Sequence, residues 1–151
     1  MLTAQVERIS DLIDEIKPLL ERHWQEIGIY QDKMPLDPNY DLYRARDAAG
    51  EGIICTLRAD GELVGYWIGF IAPGLHYKST LTLTTDILFV SPEYRGLHGG
   101  QLLADCVKAE AQRRGVKIMY AGSKNHKEIA WFLERIGMTK IEEHFAMWIG
   151  D

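Results

Sequence analysis

The sequence has little of several features that would narrow its class. Its 151 residues include only two cysteines, Cys55 and Cys106, too few for the disulfide framework of a small secreted domain. No apolar run approaches the roughly 20 residues of a membrane-spanning helix. The N-terminus carries acidic residues and no apolar core of a signal peptide. We therefore expect reduced thiols and a soluble, cytoplasmic protein without a membrane partner.

The sequence also has fewer basic than acidic residues. The chain has 17 lysines and arginines against 22 acidic residues, for a net charge of −5, and it has no basic cluster of the kind that binds nucleic acid. Five scattered histidines and two distant cysteines give no spacing suited to metal ligands. We expect no nucleic-acid partner and no metal. The acidic balance leans weakly towards a cationic small molecule.

The composition suits one globular domain over residues 1–151, with 46% hydrophobic and 26% charged residues. Apolar residues recur at helical spacing from about Ala4 to Ile27, and Pro18 should kink or divide that helix. Asp37 and Pro38 resemble a helix N-cap and first turn, and predict a short helix to about residue 48.

The middle of the chain changes to strand patterns. Residues 52–73 predict two strands joined at Asp60-Gly61, a strong hairpin signal. The threonine-rich segment 79–90 predicts a long third strand.

The last third alternates between helix and strand. Apolar spacing predicts helices over about 99–114 and 126–135, a strand at 117–123, and a closing pair of strands within 139–149. This order indicates an α/β fold of layered α+β type, with a mixed, mostly antiparallel sheet flanked by helices.

The stretch SPEYRGLHGGQLLADC, residues 91–106, passes from a strand into a helix through Arg95 and three glycines, Gly96, Gly99 and Gly100. A helix that starts this abruptly leaves backbone N–H groups without partners, which suits an anion such as a pyrophosphate. The alternative is a glycine-rich corner that only packs the helix against the sheet, because an isolated glycine pattern is weak evidence.

The longer run LFVSPEYRGLHGGQLL resembles the acetyl-CoA-binding motif of the GNAT N-acetyltransferase superfamily. The matching places are held by Leu88, Phe89, Val90, Pro92, Arg95 and Gly100. In element order the resemblance extends over about residues 53–149. It implies a GNAT fold and an acetyl-CoA-dependent N-acetyltransferase that acts on a primary amine by direct attack on the bound thioester.

The resemblance also implies which residues bind the cosubstrate. The backbone of Leu88, Phe89 and Val90 would pair with the pantetheine arm. Arg95 would supply a cation. The amides that follow would cradle the pyrophosphate, namely those of Gly96, Leu97, His98, Gly99, Gly100 and Gln101. Asn125 or His126 would take the role of the asparagine that precedes the family's later helix.

Two residues depart from the family pattern. His98 stands where the first motif glycine belongs, although histidine tolerates left-handed backbone geometry better than most residues. Leu133 occupies the place of a tyrosine that protonates the departing thiolate in many members. Because a thiol with a pKa near 8.5 leaves readily as a thiolate, the loss is tolerable; water or Tyr120 are alternative proton donors.

Catalysis of amine acetylation calls for a base or a water relay, because an alkyl amine is mostly protonated at neutral pH. Asp86 is the candidate, as the only acidic residue of its strand, and two residues before Leu88 it should share the same strand face. The alternative is that Asp86 only pairs with a neighbouring polar group. In this family, aromatic and histidine side chains overhang the acceptor site, and the candidates here are Trp24, Tyr30, His76 and Tyr77.

Other functions stay open at this point. His98 and Leu133 favour a non-catalytic CoA-binding sensor or interaction module with the same fold. For an enzyme, the acceptor is a small-molecule or protein amine that the sequence does not identify. A homodimer is compatible with a sheet that ends in a hairpin, but no residue decides it.

Overall fold

A five-stranded sheet forms the centre of the protein, which a computed structural model describes over residues 1–151. The strands lie in chain order and all neighbours are antiparallel except the last pair, β4 and β5, which are parallel. Their bounds are β1 Leu2–Val6, β2 Gly52–Ala59, β3 Glu62–Pro73, β4 Leu81–Val90 and β5 Ile118–Tyr120. The predicted fold class, a mixed and mostly antiparallel sheet with flanking helices, is confirmed.

Helices cover both faces of the sheet, and each face has its own core. The helices are α1 Ile13–Ile27, α2 Tyr40–Ala48, α3 Gly99–Arg113 and α4 Ala130–Arg135. On one face α3 packs through Leu103 and Val107 against Trp67 and its neighbours, and α4 adds Leu133. On the other face α1 and α2 cover a second cluster that includes Tyr66 and Phe89. The sheet is therefore the middle of three layers.

The hairpin predicted at Asp60-Gly61 is confirmed. Both residues have positive φ, at 48° and 92°, which is the geometry of a two-residue turn whose twist matches the flanking strands. The turn fixes the pairing of β2 with β3, and a further antiparallel step adds β4.

The N-terminal predictions need correction. Residues 2–6 form a strand at the edge of the sheet, not the start of a helix, because Leu2 and Ala4 alternate onto the core. Pro18 does not divide α1: it is exposed, so the backbone bond it cannot make lies on the solvent face. The cap of α2 is Asn39, whose side chain accepts the amide of Leu42 at 3.0 Å, and not Asp37.

The C-terminal predictions overestimated the regular structure. The helix predicted from His126 begins at Ala130, and the amide of Ile129 bonds the hydroxyl of Ser123 at 2.8 Å. Of the predicted strand 117–123, only Ile118–Tyr120 forms a strand. Residues 139–149 form no strand pair, so the closing hairpin is wrong for the single chain.

The two cysteines are free thiols, as predicted. They meet across the interface of β2 and α3, where the Cys106 and Cys55 sulfur atoms lie 2.8 Å apart. No helix combines the length and apolar character that a membrane crossing requires.

His23 is the one imidazole in the core. Its side chain is 5% exposed, Nδ1 lies 2.8 Å from the hydroxyl of Tyr66, and the ring stacks on Phe89 at 4.9 Å between centroids. Burial lowers the pKa of His23 to about 4, opposed by the nearby Glu26 carboxylate. The histidine is therefore neutral in the folded protein at neutral pH.

This burial makes stability depend on pH in a defined direction. Between pH 6.5 and 4 the unfolded chain binds a proton at His23 that the folded chain does not, so stability falls as the pH falls through that window. Urea unfolding at pH 7.5 and pH 5.0 should show a loss of about 2 kcal/mol from this group. His23→Gln should reduce the pH dependence by that amount; an unchanged difference would mean that His23 titrates normally.

Candidate active site

The centre of β4 contains a bulge, and Asp86 is the extra residue. In the register with β3, Ile68 faces Ile87 and Gly69 faces Thr85, so the pairing skips Asp86. Bulges of this kind redirect side chains and are common beside functional sites. Asp86 is exposed there.

The bulge overturns the expected facing of Asp86. Spacing alone placed it on the same face as Leu88. Instead, Leu88 packs towards α3, whereas Ile87 packs into the opposite core and Asp86 bonds Tyr43 of α2 on that side. The extra residue shifts the alternation by one position, which a sequence pattern of period two does not reveal.

Tyr43 orients the Asp86 carboxylate. Its hydroxyl donates a hydrogen bond to Asp86 Oδ2, and its ring packs against Phe70. Burial first, and then the hydrogen bond to Asp86, raise the pKa of Tyr43. The phenol thus stays protonated and remains a donor to the carboxylate at any physiological pH.

A cleft of about 300 Å³ opens beside this pair. Trp24, Tyr43 and Ile87 contribute to its walls, and Asp37 adds an acidic group to its lining. The walls are mainly apolar with a few polar groups, as in sites that bind small molecules.

The predicted acceptor residues do not all meet at this cleft. Trp24 lines it. Tyr30 follows α1 and packs against Trp148 at 6.1 Å. His76 and Tyr77 lie on the exposed loop between β3 and β4, where they contact each other at 6.4 Å. Of the four predicted residues, the structure brings only Trp24 to the cleft.

Beyond the bulge, β4 has a free edge. It pairs with β5 at only three residues, Thr82, Leu83 and Thr84. From residue 85 to residue 90 the β5 side of the strand has no neighbour. An extended ligand can therefore pair with this edge in the manner of an added strand.

The loop after β4 presents a run of free backbone donors. None of the six amides of residues 96–101 donates a backbone hydrogen bond within the chain, and the first intrahelical bond of α3 joins the Leu102 amide to the His98 carbonyl at 3.1 Å. These amides cluster at a helix N-terminus, where the helix dipole also favours negative charge. The arrangement fits a pyrophosphate.

The glycines of this loop serve packing as well as access. A methyl group at Gly99 would lie 2.6 Å from a methyl of Leu57, and one at Gly100 would lie 2.8 Å from the ring of Phe132. Gly96 has φ of 79°. The two interpretations of the loop, anion cradle and tight corner, are therefore compatible: α3 seats closely on β2 and α4, and that seating exposes its first amides.

Comparison with known proteins agrees with this geometry. The family model described as "Acetyltransferase (GNAT) family" matches residues 12–138. The chain belongs to the GNAT acetyltransferase family. No curated protein sequence matches the chain.

Solved structures share the fold of this GNAT acetyltransferase at low sequence identity. Ribosomal-protein-alanine N-acetyltransferase from Brucella melitensis is 19% identical with a TM-score of 0.77, covering 100% of this chain and 99% of that one. Glucosamine-6-phosphate N-acetyltransferase from Arabidopsis thaliana is 14% identical with a TM-score of 0.74, covering 99% of both. The aminoglycoside acetyltransferase HMB0005 from an uncultured soil sample is 15% identical with a TM-score of 0.77, covering 99% of both.

Arg95 of this acetyltransferase is already engaged within the chain. Its guanidinium donates to the Val90 carbonyl at 2.7 Å and to Glu26 of α1 at 2.8 Å. It also lies over the ring of Phe89 at 5.5 Å. In this geometry Arg95 joins α1 to the end of β4, and the free donors near it are backbone amides.

The predicted asparagine position lies in a turn. Asn125 and His126 sit at the tip of a turn closed by Lys124 and Lys127, well before α4. His126 Nε2 lies 3.1 Å from the carbonyl of Ile27, at the end of α1. This contact joins the segment after β5 to the C-terminal end of α1.

Leu133, which replaces the family's tyrosine, is a core residue. It is 8% exposed and packs in the core beneath α3. Tyr120, the alternative donor, is half-buried on β5 opposite Thr84, at the point where the two strands separate.

Sequence reasoning missed three residues of the site: Tyr43, Asp37 and Glu26. Tyr43 bonds Asp86 across 43 residues of sequence, and Glu26 bonds Arg95 across 69. Asp37 was assigned to a helix cap instead. Tyr43 is one of two tyrosines on a short polar helix, the other being Tyr40, so the sequence alone does not single it out.

Substitutions at His98 can test whether the loop needs a left-handed backbone conformation. It adopts φ of 64° and ψ of 11°, immediately before α3, and its side chain is exposed without a hydrogen bond. We expect His98→Gly to fold with unchanged stability and to keep its affinity for CoA. His98→Val should lose about 1–2 kcal/mol of stability, because a β-branched residue is strained in this region.

Thermal unfolding and calorimetric titration with CoA would measure both effects. Equal behaviour of the glycine and valine variants would contradict a requirement for the left-handed backbone. Weaker CoA binding by His98→Gly at unchanged stability would identify the imidazole as a contact.

Proposed function

We propose that this protein is an acetyl-CoA-dependent N-acetyltransferase that transfers an acetyl group to a small primary amine by direct attack on the bound thioester. The observation that carries the proposal is a pair of free backbone surfaces that lie close together in the chain. The unpaired β4 edge at residues 85–90 is followed, after one short turn, by the unpaired amides of residues 96–101.

These surfaces match the two chemical parts of the cosubstrate. The amides of residues 96–101 would hold the pyrophosphate. The backbone of Leu88, Phe89 and Val90 would pair with the amide groups of the pantetheine arm. Acetyl-CoA, when bound, supplies the acetyl thioester. Asn125 and His126, on the turn after β5, would border the arm from the other side.

The chain's own groups would then serve the acceptor amine. Asp86 lies in the β4 bulge, two residues before the predicted pantetheine contact at Leu88. Its carboxylate would attract the ammonium form and accept its proton directly or through water. Tyr43 would act as a positioning residue, because its hydroxyl holds the carboxylate. Free β4 amides near the bulge would stabilise the charge that develops on the carbonyl oxygen.

The cleft supports a small cationic amine as acceptor. It holds about 300 Å³, the size of a small-molecule site. Trp24 contributes an aromatic ring to the lining, and Asp37 and Asp86 add negative charge nearby. The three similar structures act by name on a protein alanine, a sugar phosphate and aminoglycosides, so amino sugars belong in the first screen beside polyamines.

The departing thiolate needs no dedicated acid in this scheme. With Leu133 buried and apolar, the thiolate would leave unprotonated and take a proton from water, which its moderate basicity allows. Most of the rate enhancement would come from holding amine and thioester together. Two free thiols in contact fit a reducing cytoplasm as the place of action.

A CoA-binding sensor without turnover is the second candidate. The observations that favour it are the buried Leu133 in the place of an acid and the engagement of Arg95 by Glu26. It shares cosubstrate binding with the enzyme and differs only in turnover.

Thermal unfolding with and without acetyl-CoA, followed by thiol release with a panel of amines, separates the candidates. We expect acetyl-CoA to raise the melting temperature by several degrees and at least one amine to release thiol. A shift without thiol release from any amine would favour the sensor. The absence of any shift would refute both candidates.

Once an amine substrate has been identified, the roles of Asp86 and Tyr43 can be measured. Asp86→Asn should lower kcat about 10²-fold at pH 6.5, with a smaller loss at pH 9, where more of the amine is already neutral. Tyr43→Phe leaves the Asp86 carboxylate charged but removes the hydrogen bond that positions it. This variant should lower kcat about 3–10-fold with little change in KM.

Tyr40→Phe is the matched control, because Tyr40 lies one turn away on the same helix and its hydroxyl makes no hydrogen bond. It should retain full activity. A pH–rate profile of Asp86→Asn parallel to that of the wild type would remove Asp86 from proton transfer. Equal losses in Tyr43→Phe and Tyr40→Phe would assign both to packing.

A further inference from the structure

The two cysteines of the chain lie in contact with each other, away from the cleft and from the anion loop. Cys55 is in β2 and Cys106 is in α3, 51 residues later, and their Sγ atoms are 2.8 Å apart. The proposed acetyl transfer uses neither thiol. The chain has no other cysteine, so any thiol chemistry of the protein is that of this pair.

The two thiols differ in their access to solvent. Cys55 is 0% exposed and belongs to the core between the sheet and α3. Cys106 is half-buried at the rim of that core, next to the exposed Asp105. A small molecule in solution can therefore reach Cys106 but not Cys55.

The contact also makes Cys106 the more nucleophilic of the two. The hydrogen bond to Cys55 lowers the pKa of Cys106, against the opposing effects of burial and of the Glu110 carboxylate. The same hydrogen bond, together with burial, raises the pKa of Cys55. Because the thiolate and not the thiol is the nucleophile, Cys106 reacts first with an electrophile.

A bond between the two sulfur atoms requires little movement. Disulfide sulfurs lie about 2 Å apart, so those of Cys55 and Cys106 have to approach by less than about 1 Å. The same helix already rests on β2 at Gly99, where a methyl group would lie 2.6 Å from Leu57. Because α3 is held against β2 at both places, the bond can form without a change of fold.

From these features we propose that Cys106 and Cys55 are a modification site for hydroperoxides, at which oxidation ends in a reversible disulfide that fastens α3 to β2. The Cys106 thiolate attacks one oxygen of the hydroperoxide and becomes a sulfenic acid. The O–O bond breaks, and the second oxygen takes up a proton and leaves as an alcohol, or as water from hydrogen peroxide.

The second step closes the disulfide. The Cys55 sulfur attacks the Cys106 sulfur, the S–O bond of the sulfenic acid breaks, and hydroxide leaves with the Cys55 proton as water. The two thiols together lose two electrons, and the hydroperoxide gains them. An external thiol returns these electrons by exchange with the disulfide and restores both cysteines.

The position of Cys55 decides how far the oxidation proceeds. A sulfenic acid that finds no thiol can be oxidised further to a sulfinic acid, which is irreversible in most proteins. Here the second sulfur is already in contact with the first, so no loop closure has to precede its attack. The oxidation therefore stops at the disulfide.

The disulfide links elements that are far apart in sequence. It closes a segment of 51 residues that includes β3 and β4, and a cross-link over a long segment strongly restricts the unfolded chain. It also holds the helix whose first turn carries the free amides of residues 99–101. We expect the oxidised protein to be the more stable form.

Treatment of the native protein with hydrogen peroxide tests the site without acetyl-CoA or an amine, and so independently of the proposed catalytic function. Peptide mapping should find Cys55 linked to Cys106 within one chain, and dithiothreitol should restore both thiols. The melting temperature should rise by roughly 5–12 °C on oxidation. Two free thiols after excess peroxide, a sulfinic acid in place of the disulfide, or a lower melting temperature would each overturn the proposal.

Single variants separate the roles of the two thiols. Cys55→Ala should stop at a sulfenic acid on Cys106, which dimedone traps. Cys106→Ser is the matched variant and should leave Cys55 unmodified, because Cys55 is buried. Circular dichroism should show that both fold; Cys106→Ser, at a half-buried position, keeps the test decisive if Cys55→Ala is unstable. Oxidation of Cys55 in folded Cys106→Ser would contradict the assignment of Cys106 as the first thiol to react.

Discussion

The incomplete pairing of β4 is the constraint on which the rest of the site depends. A sheet normally uses both edges of an inner strand, yet the pairing of β4 with β5 ends at Thr84. The backbone groups beyond that point must bond water or a ligand. A short turn follows β4, in which the amides of Ser91, Tyr94 and Arg95 are bonded within the chain, and the amides of residues 96–101 beyond this turn are free as well.

The bulge at Asp86 lies within two residues of the point where the strands separate. One extra residue there changes which face the following side chains meet, so that Phe89 enters the core beneath α1 and Leu88 the core beneath α3. The same extra residue turns a carboxylate towards Tyr43. A local break in the ladder thereby combines three features: a free edge, a shifted core and an oriented carboxylate.

Several elements could be predicted because the signal is local. The Asp60-Gly61 turn needs two residues with positive φ, and the sequence provides the residues that tolerate it. The glycine loop before α3 is similar, since Gly99 and Gly100 have no room for a side chain. The motif resemblance added the cosubstrate, which spacing alone could not supply.

Other elements escaped prediction because distant contacts decide them. Leu2–Val6 is a strand only because residues 55–59 lie beside it. The facing of Asp86 failed for a different reason, because a period-two rule cannot see a bulge.

The C-terminal segment shows both a local sequence signal and the need for a distant neighbour. Its strand pattern is genuine local information, but a strand also needs a neighbour, and the single chain provides none for residues 139–149. The same condition governs β4, whose free edge is open to a ligand. The two unpaired segments differ in chemistry: β4 is followed by a cluster of amides suited to an anion, whereas residues 139–149 expose Phe145 and Met147.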